Sequence, residues 1–281
     1  MYSRLRVIKN YLALSIIVVT SLVCLIPLAS ILYIALREGG STLLELGLRF
    51  LIELPPTPLS PSGGIAPALI GSIISSTLAL FIAVPPSFML AYFVTEFPRH
   101  PFSKVCELVV RSFTGVPSIV VSMFVYYTLV IPMGTQSIIA GSISLSFVSL
   151  PYAYVYFTSA FRSIPSNIRE AAMALGMSRV RALRYVYVGL LRRSLTTGLL
   201  VTYLRAFGDT APLLFTMGFL TSTVFAGLLK PGNALPLLIF VYALSPYETF
   251  HRVAWGATLV LLLIYLALFI VTRSLVRGVK L

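Results

Sequence analysis

Apolar residues in this chain come in long unbroken runs, not in the alternation of a half-buried strand or the single stripe of a soluble helix. Crossing a bilayer takes roughly 20 residues. Six runs reach that length: Tyr11–Leu36, Leu69–Thr95, Leu108–Ile131, Ser137–Ala160, Leu195–Gly218 and Val253–Thr272. The pattern predicts an all-α polytopic membrane protein with six transmembrane helices. Two stretches fall outside it. Leu235–Leu244, LPLLIFVYAL, makes a helix of only about 15 Å, half a bilayer, and reads as a re-entrant or interfacial segment. The loop from Arg37 to Pro67 carries LPPTPLSPSGG, Leu54 to Gly64, whose prolines and glycines oppose regular structure.

Between the fourth and fifth runs the pattern changes period. In IPSNIREAAMALGMSRVRALRYV, Ile164 to Val186, the residues Ile168, Ala171, Ala172 and Leu175 fall at i, i+3, i+4 and i+7. That spacing predicts an amphipathic helix with Ser166 as N-cap, Glu170 near the positive end of its dipole and Gly176 as its stop. Ser178 caps a second helix bearing Arg179, Arg181 and Arg184. By physics alone the insert is either a docking element for a partner or an ordinary helix lying on the membrane surface.

Composition agrees with the membrane reading: 58% of residues are hydrophobic, 10% are charged, and the mean hydropathy is +0.97. Arg4, Arg6 and Lys9 resemble the start of a signal peptide, but the apolar run behind them is too long for one, so an uncleaved helix is expected, kinked at Pro27. With the N-terminus inside, sixteen basic residues fall on cytoplasmic segments and four, Arg37, Arg49, Lys230 and Arg252, outside. Both termini and the amphipathic insert then face the cytoplasm. The same distribution accounts for the net charge of +13 without nucleic acid. Cys24, Cys106, His100 and His251 form neither a disulfide framework nor a metal cluster.

One constellation breaks the apolar pattern. Asp209 is the only aspartate in the chain, and Arg205 lies four residues before it, on the same face of the fifth run. Each ionisable group at mid-membrane costs about 2.5–3.5 kcal/mol on insertion scales. Gly208 weakens the helix there, and Pro212 cannot donate to the Gly208 carbonyl, so a kink is expected. Irregular backbone at that depth must line protein or water. The pair is thus a transport site or a static clip between helices.

Four blocks carry a resemblance. Glu170-Ala171-Ala172, three residues and then Gly176 resemble the EAA loop of ABC-importer permeases; Val186 continues the pattern, while Gly189 stands where proline is common. RAFGDTAPLLFTMG, Arg205 to Gly218, is similar to the RAxGETAPLLFT signature of phosphate-importer permeases of the PstA type. GVPSIVVSMFVYYTLVIPMG, Gly115 to Gly134, and GGIAPALIGSIISSTLAL from Gly63 resemble that family's segments at the third and second spans, and pieces between Asn233 and Ala257 fit as well.

The resemblance implies the type I ABC-importer permease fold, with residues 11–272 as the membrane domain, a core of about 66–272, a coupling loop at 161–194, and cytoplasmic ends at 1–10 and 273–281. It implies a substrate pathway at Arg205, Gly208, Asp209, Thr210 and Pro212, and ATPase coupling through Glu170, Ala171, Ala172, Leu175 and Gly176. Implied partners are a second homologous permease (PstC type), a cytoplasmic ATPase dimer (PstB type), an extracytoplasmic phosphate-binding protein (PstS type) and the lipid membrane. The chain has no G-x-x-x-x-G-K-[ST] loop, so ATP and Mg belong to the partner ATPase, and this chain is expected to bind no cofactor and to be no enzyme. Two departures stand out: Asp209 replaces the usual Glu, and Pro85-Pro86 replace small flexible residues. Molybdate, sulfate or phosphonate are alternative cargoes. An ion-coupled carrier using the Arg–Asp pair as a relay is the alternative from another class.

Overall fold

The computed structural model describes residues 2–58, 60 and 62–277. Met1 and the last four positions, 278–281 with Lys280, lie outside the described residues. Those described contain helices, turns and loops and no strand. α1 (Tyr2–Ile34) runs through Pro27 and continues by a π-turn, Ala35–Gly39, into α2 (Gly40–Leu46). A short α3 (Arg49–Ile52) follows. Among the described residues the proline-rich stretch after Glu53 is without helix, as expected, up to α4 (Ala66–Glu96), which passes Pro85 and Pro86 without ending.

α4 packs along α8 (Ile138–Arg162), and α11 (Val188–Phe207) lies against both. Lipid tails are as apolar as leucine, so close approach rather than water exclusion holds such helices together. Their facing surfaces are built for it. Ser72, Ser75, Ser76 and Ser87 of α4 and Ser142, Ser144, Ser146 and Ser149 of α8 are all buried. Ser87 ties the pair directly, its hydroxyl donating to the Leu150 carbonyl at 2.9 Å. At one end an aromatic cluster locks the joint, Phe88 standing edge-on to Phe157 and Phe161 at 5.7 and 5.2 Å. At the other end α12 (Leu235–Ala243) and α13 (Glu248–Arg277) close over Phe50 and Phe207.

Two expected spans are corrected. The third does not run from Leu108. α5 (Pro101–Thr114) and the helical segment from Ser118 to Met133 meet at a bend of 101°. That segment comprises α6 (Ser118–Val125), a π-turn at Tyr126–Val130 and α7 (Ile131–Met133). Pro117 has no amide to continue the ladder and drives Val116 away from helical geometry. α5 is a separate amphipathic helix, seated on the bundle through Ser103, Cys106 and Val110. The fifth span does not continue to Gly218 with a kink; α11 stops at Phe207 and residues 211–217 run in turns. Four of the described helices are long and apolar enough to cross a membrane, five if the bent pair counts as one. α11, with 20 residues, is about 30 Å long, with Arg192 and Arg193 near its start and Arg205 near its end.

Candidate functional site: the end of α11 and the cytoplasmic insert

α11 ends because two residues make its continuation impossible. The Tyr265 hydroxyl of α13 donates to the Leu204 carbonyl at 2.8 Å. A Cβ at position 208 would stand 1.7 Å from that hydroxyl, so only glycine permits the approach. Four residues on, Pro212 is buried, and its carbonyl accepts the hydroxyls of Ser122 at 2.9 Å and Thr216 at 2.7 Å. Other side chains satisfy the remaining irregular backbone. Gln136 donates to the Phe215 carbonyl at 3.0 Å, and the Leu235 amide to Ser72 at 2.7 Å. Backbone that leaves a helix inside a membrane has to be satisfied in this way.

At this break the expected pair forms. Arg205 Nη2 lies 3.0 Å from Asp209 Oδ2. The Ser118 hydroxyl donates to the same oxygen at 3.5 Å, and the Arg205 guanidinium sits 5.1 Å over the Tyr152 ring. The two partners are not equally covered: the Asp209 side chain is 11% exposed and that of Arg205 38%. Arg205 Nε is itself buried with no partner among the described residues. The guanidinium borders a crevice of about 20 Å³ lined also by Phe113, Thr114, Ser118 and Tyr152, room for about one water molecule. One edge of the cation is therefore clamped, Nε is buried, and part of the guanidinium stays exposed.

Of the other expected pathway residues, Gly208 makes room for Tyr265, and Pro212 terminates the helix. Thr210 turns away from the pair, its hydroxyl 3.5 Å from the Pro236 carbonyl of α12. Sequence reasoning missed Ser118, Tyr152 and Tyr265. The signals were present: Ser118 and Ser122 sit one turn apart behind Pro117, and Tyr265 carries a hydroxyl in the middle of an apolar run.

The insert forms α9 (Ser166–Ala174) and α10 (Arg179–Ala182), the latter capped by Ser178 as expected. The first cap differs: Pro165 occupies the N-cap position and Ser166 is the first helical residue, while the Asn167 side chain accepts the Ile168 amide at 2.9 Å. Gly176 takes φ +72° and stops α9. The four apolar positions do not share one fate. Ala172 is buried and Ile168 packs on the same core, whereas Ala171 is exposed and Leu175 is 81% exposed. The reason is rotation of the helix on its anchor. Arg169 pairs with Glu96, donates to the Phe161 carbonyl at 2.7 Å and lies 5.6 Å over the Tyr187 ring. Tyr92 donates to the Arg179 carbonyl at 2.8 Å, and Arg179 covers Phe97 at 4.2 Å. Burial first, then the Glu96 carboxylate, push the Tyr187 phenol above its ordinary pKa, so this ring is a neutral platform. What remains outward is Glu170, Ala171, Met173, Leu175, Gly176 and Val180.

A serine-lined helical bundle with a half-open cation at a helix break, and a rigidly held lever at one end, has the make-up of a transporter's membrane component. The chain belongs to the family of binding-protein-dependent transport system inner membrane components, whose model matches residues 87–280. Among curated relatives, the probable phosphate transport system permease protein PstA of Methanocaldococcus jannaschii is 34% identical over 97% of this chain and 95% of its own length. The phosphate transport system permease protein PstA of Mycobacterium leprae is 31% identical over 92% of this chain and 86% of its own. Among solved structures, an inward-facing MetNI methionine ABC transporter aligns with a TM-score of 0.58 at 17% identity, over 75% of this chain and 94% of that one. An amino acid ABC transporter crystallised with histidines aligns at 0.53 and 17%, over 74% and 92%. These structural likenesses establish the type I importer permease fold.

Proposed function

We propose that this chain is the membrane permease subunit of an ATP-driven importer that carries inorganic phosphate across the cytoplasmic membrane by alternating access. The observation that carries the reading is the half-open Arg205, clamped by Asp209 at a helix break. It lies in a chain whose relatives, over nearly its full length, are phosphate transport permeases. In a low-dielectric crevice a fixed guanidinium attracts an oxyanion far more strongly than it would in water. Asp209 holds Nη2, leaving the Nη1 protons to donate a charge-assisted hydrogen bond to a tetrahedral oxyanion.

The crevice of a single chain is too small for phosphate, so a second, homologous permease completes the pathway. Exposed Ala171, Met173, Leu175 and Val180 form the surface on which a cytoplasmic ATPase dimer seats, and an extracytoplasmic binding protein delivers the anion. The chain is a non-catalytic component: ATP and Mg belong to the ATPase. Positive residues concentrated on the side of the insert support cytoplasmic placement of the lever and both termini.

The test is purification of the assembly, reconstitution into liposomes and measurement of radiolabelled phosphate uptake. ATP-dependent uptake that needs the ATPase, with phosphate stimulating hydrolysis above sulfate and molybdate, is expected. Uptake driven by an ion gradient without ATPase would overturn the reading.

A further inference from the structure

A polar opening along the α8–α11 joint lies away from Arg205. A cavity of about 330 Å³ lies where the last turns of α8 face the first turns of α11, within the size range of ligand pockets, about 300–1,000 Å³. It is lined by Arg193, by the hydroxyl-bearing Tyr156, Ser159, Ser163, Ser194 and Thr197, and by Ala160. No carboxylate lines it. Arg193 has no ion-pair partner among the described residues. Thr197 is unusual for a helical threonine. Thr196 and Thr202 return their hydroxyls to the carbonyl four residues back, at 2.8 and 2.7 Å, while the Thr197 hydroxyl is buried without a partner.

The neighbouring cavity supplies a control. It shares Ser159 and holds two arginines, but Glu107 lies 2.7 Å from Arg111 and 3.4 Å from Arg162. Its cations are already matched. The Arg193 cavity has a cation, several donors and nothing inside to neutralise them. A cationic ligand would find no acid there.

Position adds to chemistry. Arg193 precedes Arg205 by twelve residues of α11, about 18 Å toward the cytoplasmic end. On α8, Tyr156 follows by one turn the Tyr152 that stacks under Arg205. We propose that the α8–α11 cleft is a second site for a phosphate-type oxyanion, held by Arg193 with the hydroxyls of Ser159, Ser194 and Thr197. As an inner station for the transported anion it rests on the importer reading above. The headgroup of an anionic phospholipid offers the same oxygens and would rest on the cleft alone.

The experiment places a thiol beside the site. Ser163→Cys is suitable, because the Ser163 hydroxyl already donates to the Ala160 carbonyl at 2.7 Å and is least needed by a ligand. Cys24→Ser and Cys106→Ala remove the natural thiols. The rate of N-ethylmaleimide labelling of the whole transporter is measured in neutral detergent with and without inorganic phosphate. It is measured again in nanodiscs of phosphatidylcholine with and without phosphatidylglycerol. The cleft slows labelling about tenfold in at least one arm, the value of one charge-assisted hydrogen bond. Arg193→Gln abolishes the protection, and Arg193→Lys keeps part of it. Protection in detergent assigns free phosphate; protection only with phosphatidylglycerol assigns the lipid. Equal labelling rates in every arm, or protection that survives Arg193→Gln, would overturn the inference. ATP-driven uptake by the same preparation is scored separately. Uptake with an unprotected thiol sinks the cleft and spares the importer; protection by phosphatidylglycerol without uptake does the reverse.

Discussion

Two arginine–carboxylate pairs in this molecule share their chemistry and differ in what surrounds them. Arg169 and Glu96 meet where the insert leaves the bundle, and the arginine also has the Phe161 carbonyl and the Tyr187 ring. Its charge is spent inside the chain. Arg205 and Asp209 meet at the break after α11, where the acid is covered and the arginine keeps a buried Nε and an open edge without partners. A satisfied pair fixes geometry; an under-satisfied pair beside a crevice can bind. The first holds the lever at a fixed angle, and the second offers charge to a passing anion.

Substitutions separate these roles most sharply at Arg205. Arg205→Gln is expected to lower phosphate uptake about a hundredfold, the loss of charge-assisted contacts in a dry site, while the assembly purifies intact. Reconstituted uptake and co-purification check both halves. Arg169→Gln should show the opposite order. It strands Glu96, so the bundle loses about 3 kcal/mol of stability and the ATPase dissociates, before any effect on anion selectivity. Thermal unfolding of the variant, with partial rescue by Glu96→Gln in the double variant, checks that.

A finer cut lies along α9. Ala172→Arg forces a charge into packed core and should destabilise the chain itself. Leu175→Arg should leave its unfolding unchanged and weaken ATPase association about tenfold, read by titration of the ATPase onto the reconstituted permease. Gly208→Ala pushes the Tyr265 hydroxyl off the Leu204 carbonyl, at about 1–3 kcal/mol, and Tyr265→Phe in the same chain should recover part of that loss. Asp209→Glu has the smallest effect expected: the charge is kept, and uptake stays within about threefold of the parent, since the longer acid still reaches Arg205.

Runs of apolar residues made four long apolar helices and the insert legible, and i,i+4 spacing made the Arg205–Asp209 contact legible. Three features were not. The bend before Ser118 was hidden because α5 carries enough apolar residues to merge with the following run. The end of α11 was read as a kink, because its cause is Tyr265, distant in sequence, pressing on Gly208. The split of the insert's apolar positions depends on Arg169 finding Glu96, a pairing across 73 residues that no local period encodes. The partner of Thr210 was hidden for the same reason: α12 supplies it.

Electron cryo-microscopy of the assembled transporter with bound phosphate tests the central claim most directly. The expected result is density for a tetrahedral anion within hydrogen-bond distance of Arg205 Nη1, with Asp209 still on Nη2. A carboxylate of the second permease closing the free edge of Arg205, as Glu96 closes Arg169, with the anion elsewhere, would contradict the account.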